Sequence, residues 1–346
     1  MADKFVTLPE IRKHAKKILP RDVWNFGDGG AESETTVRRN RRAVDRLAIR
    51  QDILVDVREI DLRTSLLGMP LSWPVAIAPM GGLVLFHPEG DREMARGAAQ
   101  GDTLQFLSGA SGWSVEDVAK ASPGPKMFQL YHHGDRTWAA DLLSRVEASG
   151  YKSVVLTVDV QVYSRRERDI VHRYSPRESM KSAPNPRGPD PNYPERLTWD
   201  DVAWLKKTTR LPIGLKGVMT ARDAKRAVES GVEIIWVSNH GGRQLDHTQG
   251  SIDALPPSWT RWPAAPPSSW TAASPAAPRC SRVSPWAPPW SRWDAPSCGG
   301  WPRTAPPASP APSTSCAGSC GPPWPSRARP ASRTSTAISS SASTDA

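Results

Sequence analysis

Between Leu71 and Asn239, short runs rich in β-branched residues alternate with amphipathic stretches. The runs are residues 75–79, 104–108, 126–131, 153–159, 213–217 and 234–239. Parallel strands need a long crossover, so runs of this length separated by helical stretches mark repeated βα units and a parallel sheet. Residues 136–149 and 221–230 carry apolar side chains at helical spacing and end on Gly150 and Gly231, placed where a helix should stop. The pattern predicts an α/β chain of the (β/α)8 TIM-barrel type, with its chemistry at the C-terminal strand ends. A doubly wound sheet is the competing arrangement, but no G-x-G-x-x-G follows the first run. Strands 1–6 are legible and strands 7 and 8 are not.

Upstream, residues 9–19 and 31–44 read as helices that cover the bottom or side of such a barrel, with solvated charged faces. Residues 175–196, rich in Pro, Asn, Gly and charge, read as a long loop after the fourth strand that overhangs the active face.

Composition changes at Pro257. From there to Ala346 the chain has no Lys, Glu, Leu, Phe, Tyr or His, yet it holds all four Cys and eight of the fifteen Trp. The expected division is therefore residues 1–256, a truncated barrel domain, and residues 257–346, a Pro-, Ser- and Trp-rich tail without structure that stands in place of strands 7 and 8. Eight Arg against Asp294 and Asp345 give this tail +6 of the net +10, leaving +4 for the body. A basic balance invites a nucleic-acid reading. These Arg are scattered among Pro and Ser with no patterned face, so no nucleic-acid partner is expected. The body has no Cys, which excludes disulfides and Cys-ligated metal there. Cys280, Cys298, Cys316 and Cys320 lack ligand spacing and a companion His, so no metal is expected. The N-terminus has no apolar core of signal-peptide length, and the longest apolar stretch, 75–86, is broken by Pro79, Gly81 and Gly82. A cytoplasmic protein without a membrane span is expected.

Disorder alone does not account for the tail, because disordered segments are poor in aromatics. Trp has one codon, TGG. Read one nucleotide upstream, it becomes NTG followed by GNN, which is typically Val or Leu and then a small or acidic residue. In that frame residues 270–282 are compatible with V-D-G-G-F-T-R-G-T-E-V-L-K, and residues 283–301 with G-V-A-L-G-A-A-V-V-A-V-G-R-P-V-V-W-G-L. The glycines at positions 287 and 294 are forced by the preceding Trp codons. Two barrel strands with glycine-rich ends emerge, and the tail reads as out of frame from about residue 256 or 257.

The sixth run closes on Ser238-Asn-His-Gly-Gly-Arg-Gln-Leu-Asp246. His240 and Arg243 then lie at the barrel mouth, one able to take a proton and the other a carboxylate. In the same chain stand Ile77-Ala-Pro-Met80, His87-Pro-Glu-Gly90, Phe128-Gln-Leu-Tyr131, Leu156-Thr-Val-Asp159, Arg165-Arg-Glu167 and Leu215-Lys-Gly217. With these motifs in this order, the sequence resembles the FMN-dependent 2-hydroxy acid oxidases and dehydrogenases, the family of glycolate oxidase, lactate oxidase and mandelate dehydrogenase. The resemblance runs from Leu8 to Leu255. The shifted-frame D-G-G-F-T-R-G and G-R-P resemble that family's two phosphate-gripping strand ends.

The resemblance implies His240 as catalytic base and Asp159 as its acidic partner. It implies Arg243 and Arg166 as holders of the substrate carboxylate, through paired charge-assisted hydrogen bonds. Tyr131 would hydrogen-bond the substrate, and Lys216 would lie by the N1 and O2 edge of FMN, where a cation stabilises the reduced flavin. Pro79, Met80, Gly81, Ser108, Gln129, Thr157 and Ser238 match flavin-contacting positions. Three positions depart from the family pattern. Phe26 stands where an active-site Tyr is usual, so one hydroxyl for the substrate carboxylate is missing. Ala110 replaces a bulky aromatic of glycolate oxidase, which implies room for a larger substrate side chain. Val162 replaces an Arg.

The implied function is oxidation of a small (S)-2-hydroxy acid to a 2-oxo acid, with electrons passing to FMN and then to oxygen, a quinone or a cytochrome. Whether His240 takes its proton from carbon or from oxygen stays open at this level. Members of the family commonly assemble as tetramers, which for this chain presupposes a complete barrel. Two other readings stand beside this one. The chain is a non-catalytic frameshift product that cannot hold FMN, or its Pro-rich tail is an interaction segment, which would require recurring P-x-x-P motifs.

Overall fold

The structure is a computed structural model that describes residues 5–49, 51–180, 188–190, 192–255 and 269–271. Three helices come first, α1 (Leu8–Ile18), α2 (Arg21–Asp28) and α3 (Thr35–Asp45). α1 begins at a capping box, in which the Thr7 side chain accepts from the Glu10 backbone N–H and the Glu10 carboxylate accepts from that of Thr7. α3 starts four residues later than the expected 31. Glu34 has φ 60°, and the Ala31 N–H donates to the Gly242 carbonyl at 2.9 Å, so the chain is diverted before the helix to meet the 239–246 loop.

A hairpin follows, β1 (Thr64–Leu66) and β2 (Met69–Leu71), turned through Leu67 and Gly68. Both turn residues have positive φ, the geometry whose twist suits a two-residue hairpin loop. The repeated units then run β3 (Ala76–Ile77), α4 (Gly90–Gln100), β4 (Leu104–Ser108), α5 (Val115–Ala121), β5 (Lys126–Leu130), α6 (Arg136–Ala148) and β6 (Val154–Thr157). The short helices α7 (Glu167–Val171) and α8 (Pro176–Ser179) precede α9 (Trp199–Thr208), β7 (Ile213–Val218), α10 (Ala221–Glu229) and β8 (Ile234–Val237). Gly150 and Gly231, at φ 81° and 73°, take the left-handed turn that ends α6 and α10 as the sequence predicts.

The six expected runs are β3 to β8, hydrogen-bonded in chain order as parallel neighbours. A further strand, β9 (Ser269–Thr271), pairs in parallel with β8 through Ile235, Trp236 and Val237. It falls within the stretch expected to lack structure. The rest of the reading for strands 7 and 8 lies outside the described residues. The expected 175–196 loop contains α8 and a single 3-10 turn at Tyr193–Arg196. Among the described residues no helix is long and apolar enough to cross a membrane.

Two apolar layers follow from strand alternation. Outward-facing Leu107, Phe128, Leu130, Leu156, Ile213, Leu215 and Ile235 pack under helix residues such as Val118, Leu143, Leu205 and Ala224. Inward-facing Leu104, Phe106, Met127, Val155, Ile234 and Trp236 pack together with Leu66 and Leu71 of the hairpin. The hairpin is therefore a floor beneath the strands. The Phe106 and Trp236 rings meet edge-on at 4.5 Å, and each large side chain buried this way contributes about 1.5–3 kcal/mol.

Candidate active site

Along the inward face the next residue up each strand is polar. Ser108, Gln129, Thr157, Lys216 and Ser238 stand two residues beyond Phe106, Met127, Val155, Gly214 and Trp236, and all five are buried. The Ser108 hydroxyl donates to Gln129 Oε1 at 3.0 Å and accepts from the Ala110 N–H at 3.1 Å. Gln129 Nε2 and Thr157 Oγ1 are buried without a partner among the described residues. Such groups are costly to bury unless something pairs with them, so this layer can donate hydrogen bonds to a bound group.

Above this layer, His240 Nδ1 lies 2.8 Å from Asp159 Oδ1 and 3.4 Å from Lys216 Nζ, while Nε2 lies 3.2 Å from the Tyr131 hydroxyl. Three strand ends thus converge on one imidazole. Burial and the Lys216 charge hold the imidazole below its usual pKa, against the pull of Asp159. Burial alone would raise the Asp159 carboxyl, but the adjacent His240 and Lys216 charges bring it below the ordinary carboxylate range. The imidazole therefore has a carboxylate on Nδ1 and a hydroxyl on Nε2, a pairing that can take up and hold a proton. Gly217 permits it, because a Cβ there, at φ 115°, would lie 2.6 Å from Asp159 Cβ.

The imidazole opens onto a cavity of about 720 Å³, walled by Pro79, Met80 and Gly81 on the β3 side and by Tyr131, Arg166 and Arg243 elsewhere. Burial and the neighbouring Arg166 push the Arg243 guanidinium down to about 9. Arg243 is anchored by donating from Nη1 to the Phe26 and Gly29 carbonyls. Phe26 lies between the two guanidiniums, 5.1 Å from Arg243 and 5.6 Å from Arg166. Asp169, on the same wall, offsets part of this charge, and the two cations still outnumber it, which suits an anion. Of the fourteen expected site residues, Phe26, Pro79, Met80, Gly81, Tyr131, Arg166, His240 and Arg243 line the cavity, Ser108, Gln129, Thr157, Lys216 and Ser238 form the polar layer at the strand ends, and Asp159 is hydrogen-bonded to His240.

Several contributors were not read from the sequence. Ser164 ties the two arginines together, donating to the Arg243 carbonyl at 2.6 Å and accepting from Arg166 Nε at 3.2 Å. Phe86, Tyr174 and Met180 line the same cavity as Phe26, whose ring centroid is 6.4 Å from that of Phe86 and 6.2 Å from that of Tyr174. Tyr174 immediately precedes the stretch read as an overhanging loop and Met180 lies within it, so that loop signal was the available clue. Ala110 lines the cavity, and a Cβ at Gly81 would lie 2.7 Å from its methyl group. Val162 is exposed.

The family model described as FMN-dependent dehydrogenase matches residues 15–264. A peroxisomal (S)-2-hydroxy-acid oxidase of Oryza sativa subsp. japonica is 40% identical over 264 residues, which is 72% of each chain. Glycolate oxidase of Spinacia oleracea is 41% identical over 271 residues, 73% of each chain. Among solved structures, a mandelate oxidase crystallised with benzoyl-formic acid superimposes with a TM-score of 0.68 at 34% identity, over 73% of each chain.

Proposed function

The chain belongs to the FMN-dependent dehydrogenase family, and from that membership we propose that it oxidises an (S)-2-hydroxy acid to the 2-oxo acid with His240 as proton acceptor. The observation that carries this reading is the imidazole held between Asp159 and Tyr131 at the mouth of a cavity with Arg166 and Arg243 on its wall. The two guanidiniums receive the substrate carboxylate. Tyr131 donates to the substrate oxygen, and His240 Nε2 takes the proton while Asp159 stabilises the imidazolium. FMN, when bound, supplies the two-electron acceptor. Pro79, Met80, Gly81, Ser108, Gln129, Thr157, Lys216 and Ser238 would hold it, and the buried Gln129 and Thr157 donors without protein partners fit a ring of acceptors. Ala110 and the aromatic wall favour a substrate larger than glycolate. Relatives named oxidases favour molecular oxygen as the final acceptor, which an oxygen-electrode trace compared with a quinone dye distinguishes.

The full chain, purified and examined by visible absorption, is expected to carry a flavin band that bleaches when a 2-hydroxy acid is added without oxygen. His240→Asn is expected to keep the band and slow the bleaching by roughly 10²–10⁴-fold. Equal bleaching rates in the two proteins sink the assignment of the base.

A second reading is favoured by the codon pattern of the tail: this chain is a frameshifted product of such an enzyme, lacking the groups that grip the FMN phosphate. The eight Trp codons and the D-G-G-F-T-R-G and G-R-P segments of the alternative frame support it. Resequencing the DNA around codon 256 tests it directly. A one-nucleotide correction that opens a single frame to the stop codon, with flavin retained only by the corrected protein, supports this reading. An unchanged DNA sequence removes it.

A further inference from the structure

His240 has φ 57°, and Gly241 and Gly242 follow at 69° and 73°. Glycine takes left-handed backbone freely, but a histidine there needs the surroundings to impose it. The imposing contacts come from α3, far away in sequence. Asn40 and Asn239, both buried, face each other through a reciprocal amide pair, with Asn40 Nδ2 donating to Asn239 Oδ1 at 2.9 Å and Asn239 Nδ2 donating to Asn40 Oδ1 at 2.8 Å. Their remaining capacity is spent on the same loop. Asn239 Oδ1 also accepts from the Gly242 N–H at 3.2 Å, Asn239 Nδ2 also donates to the Gln249 carbonyl, and Asn40 Oδ1 accepts from the Ser251 N–H at 2.9 Å. Asp246 closes the other end, accepting from the Thr36 and Thr35 N–H groups at the start of α3 and from the Ser33 hydroxyl. Packing leaves no slack, since a Cβ at Gly242 would lie 2.6 Å from the Val37 nitrogen.

We infer that Asn40 is a positioning residue for the proton acceptor: through Asn239 it locks the backbone of residues 239–242 in the left-handed path that aims the His240 imidazole between Asp159 and Tyr131. The inference rests on the reading of His240 as the base. The lock itself is local geometry. It is made of neutral amides paired with each other, so it holds its shape across the pH range in which the imidazole changes charge. A carboxylate in place of either amide would add a charge to the surroundings of the dyad. Because each amide also satisfies backbone groups of the 242–251 segment, removing one side chain frees several restraints together.

The test is a titration of the full chain labelled with ¹⁵N-histidine, with the His240 signals identified by their loss in His240→Asn. In Asn40→Ala the His240 midpoint is expected to move up toward the ordinary imidazole value, as the ring leaves its buried place beside Lys216. Leu143→Ala, on the sheet-facing side of α6, loses stability without touching this loop and is expected to leave the His240 midpoint in place. A wild-type titration in Asn40→Ala overturns the inference. So does an equal shift in Leu143→Ala. If His240 proves not to be the base, the substrate-bleaching experiment reports that separately and the titration still reads the lock.

Discussion

Phe106 and Ser108 share one face of β4, two residues apart, as do Met127 and Gln129 on β5, Val155 and Thr157 on β6, and Trp236 and Ser238 on β8. The lower member of each pair packs on the hairpin floor, and the upper member turns a hydroxyl or amide to the site. The lower layer is close-packed around the hairpin and almost wholly apolar, with the Trp236 indole Nε1 its one buried side-chain polar atom lacking a partner among the described residues. The upper layer is equally buried, yet Gln129 and Thr157 are left with unspent hydrogen-bonding capacity. One step of the strand repeat therefore separates residues that hold the sheet from residues that hold a ligand, and substitutions in the two layers should fail in different ways.

The largest expected effect lies in the floor. Phe106→Ala should cost about 3–5 kcal/mol of unfolding free energy, read by denaturant titration, because a ring packed edge-on against Trp236 leaves a cavity that these strands cannot close. In the layer above, Thr157→Val should leave that titration within about 1 kcal/mol of wild type, since it removes a buried hydroxyl that has no protein partner, and should weaken FMN retention by roughly 10-fold. If Thr157→Val is as destabilising as Phe106→Ala, the division between layers is broken. Lys216→Met should raise the His240 pKa, because after burial the neighbouring cation is the largest cause that lowers it. The sign is fixed by the role of His240: a base must be neutral, so the acid limb of kcat/KM should move to higher pH in Lys216→Met. The smallest effect is expected at the rim, where Phe26→Tyr should lower KM for a 2-hydroxy acid by about 2–10-fold if the added hydroxyl reaches the carboxylate held by Arg243 and Arg166.

Much of this architecture was legible because β-branched runs and helix stops are local. All six runs became β3 to β8, and Gly150 and Gly231 ended the helices assigned to them. The chemical residues were legible for another reason: they sit at strand ends in short, dense motifs, and the 238–246 nonapeptide carries both the imidazole and a guanidinium. The floor was not legible. Its hairpin strands are three residues each, too short for alternation to register, and the turn is Leu67-Gly68 rather than a Gly pair or Asn-Gly. The late start of α3 was equally hidden, because it depends on the Gly242 carbonyl, which no local pattern announces. Asn40 lay within the predicted 31–44 helix with nothing to single it out, since its partner Asn239 is known only once the chain is folded.

The floor hairpin also has a consequence for how the chain is made. Leu66 and Leu71 leave the ribosome early, while Ile234 and Trp236, which complete the enclosure around them, emerge last among the walls. Until β8 arrives the two leucines have only part of their lining, and apolar surface left bare during synthesis is what chaperones and proteases detect. A nascent chain stopped before Ile234 lacks two of the side chains that close over the hairpin leucines, whereas one that has passed Trp236 carries both.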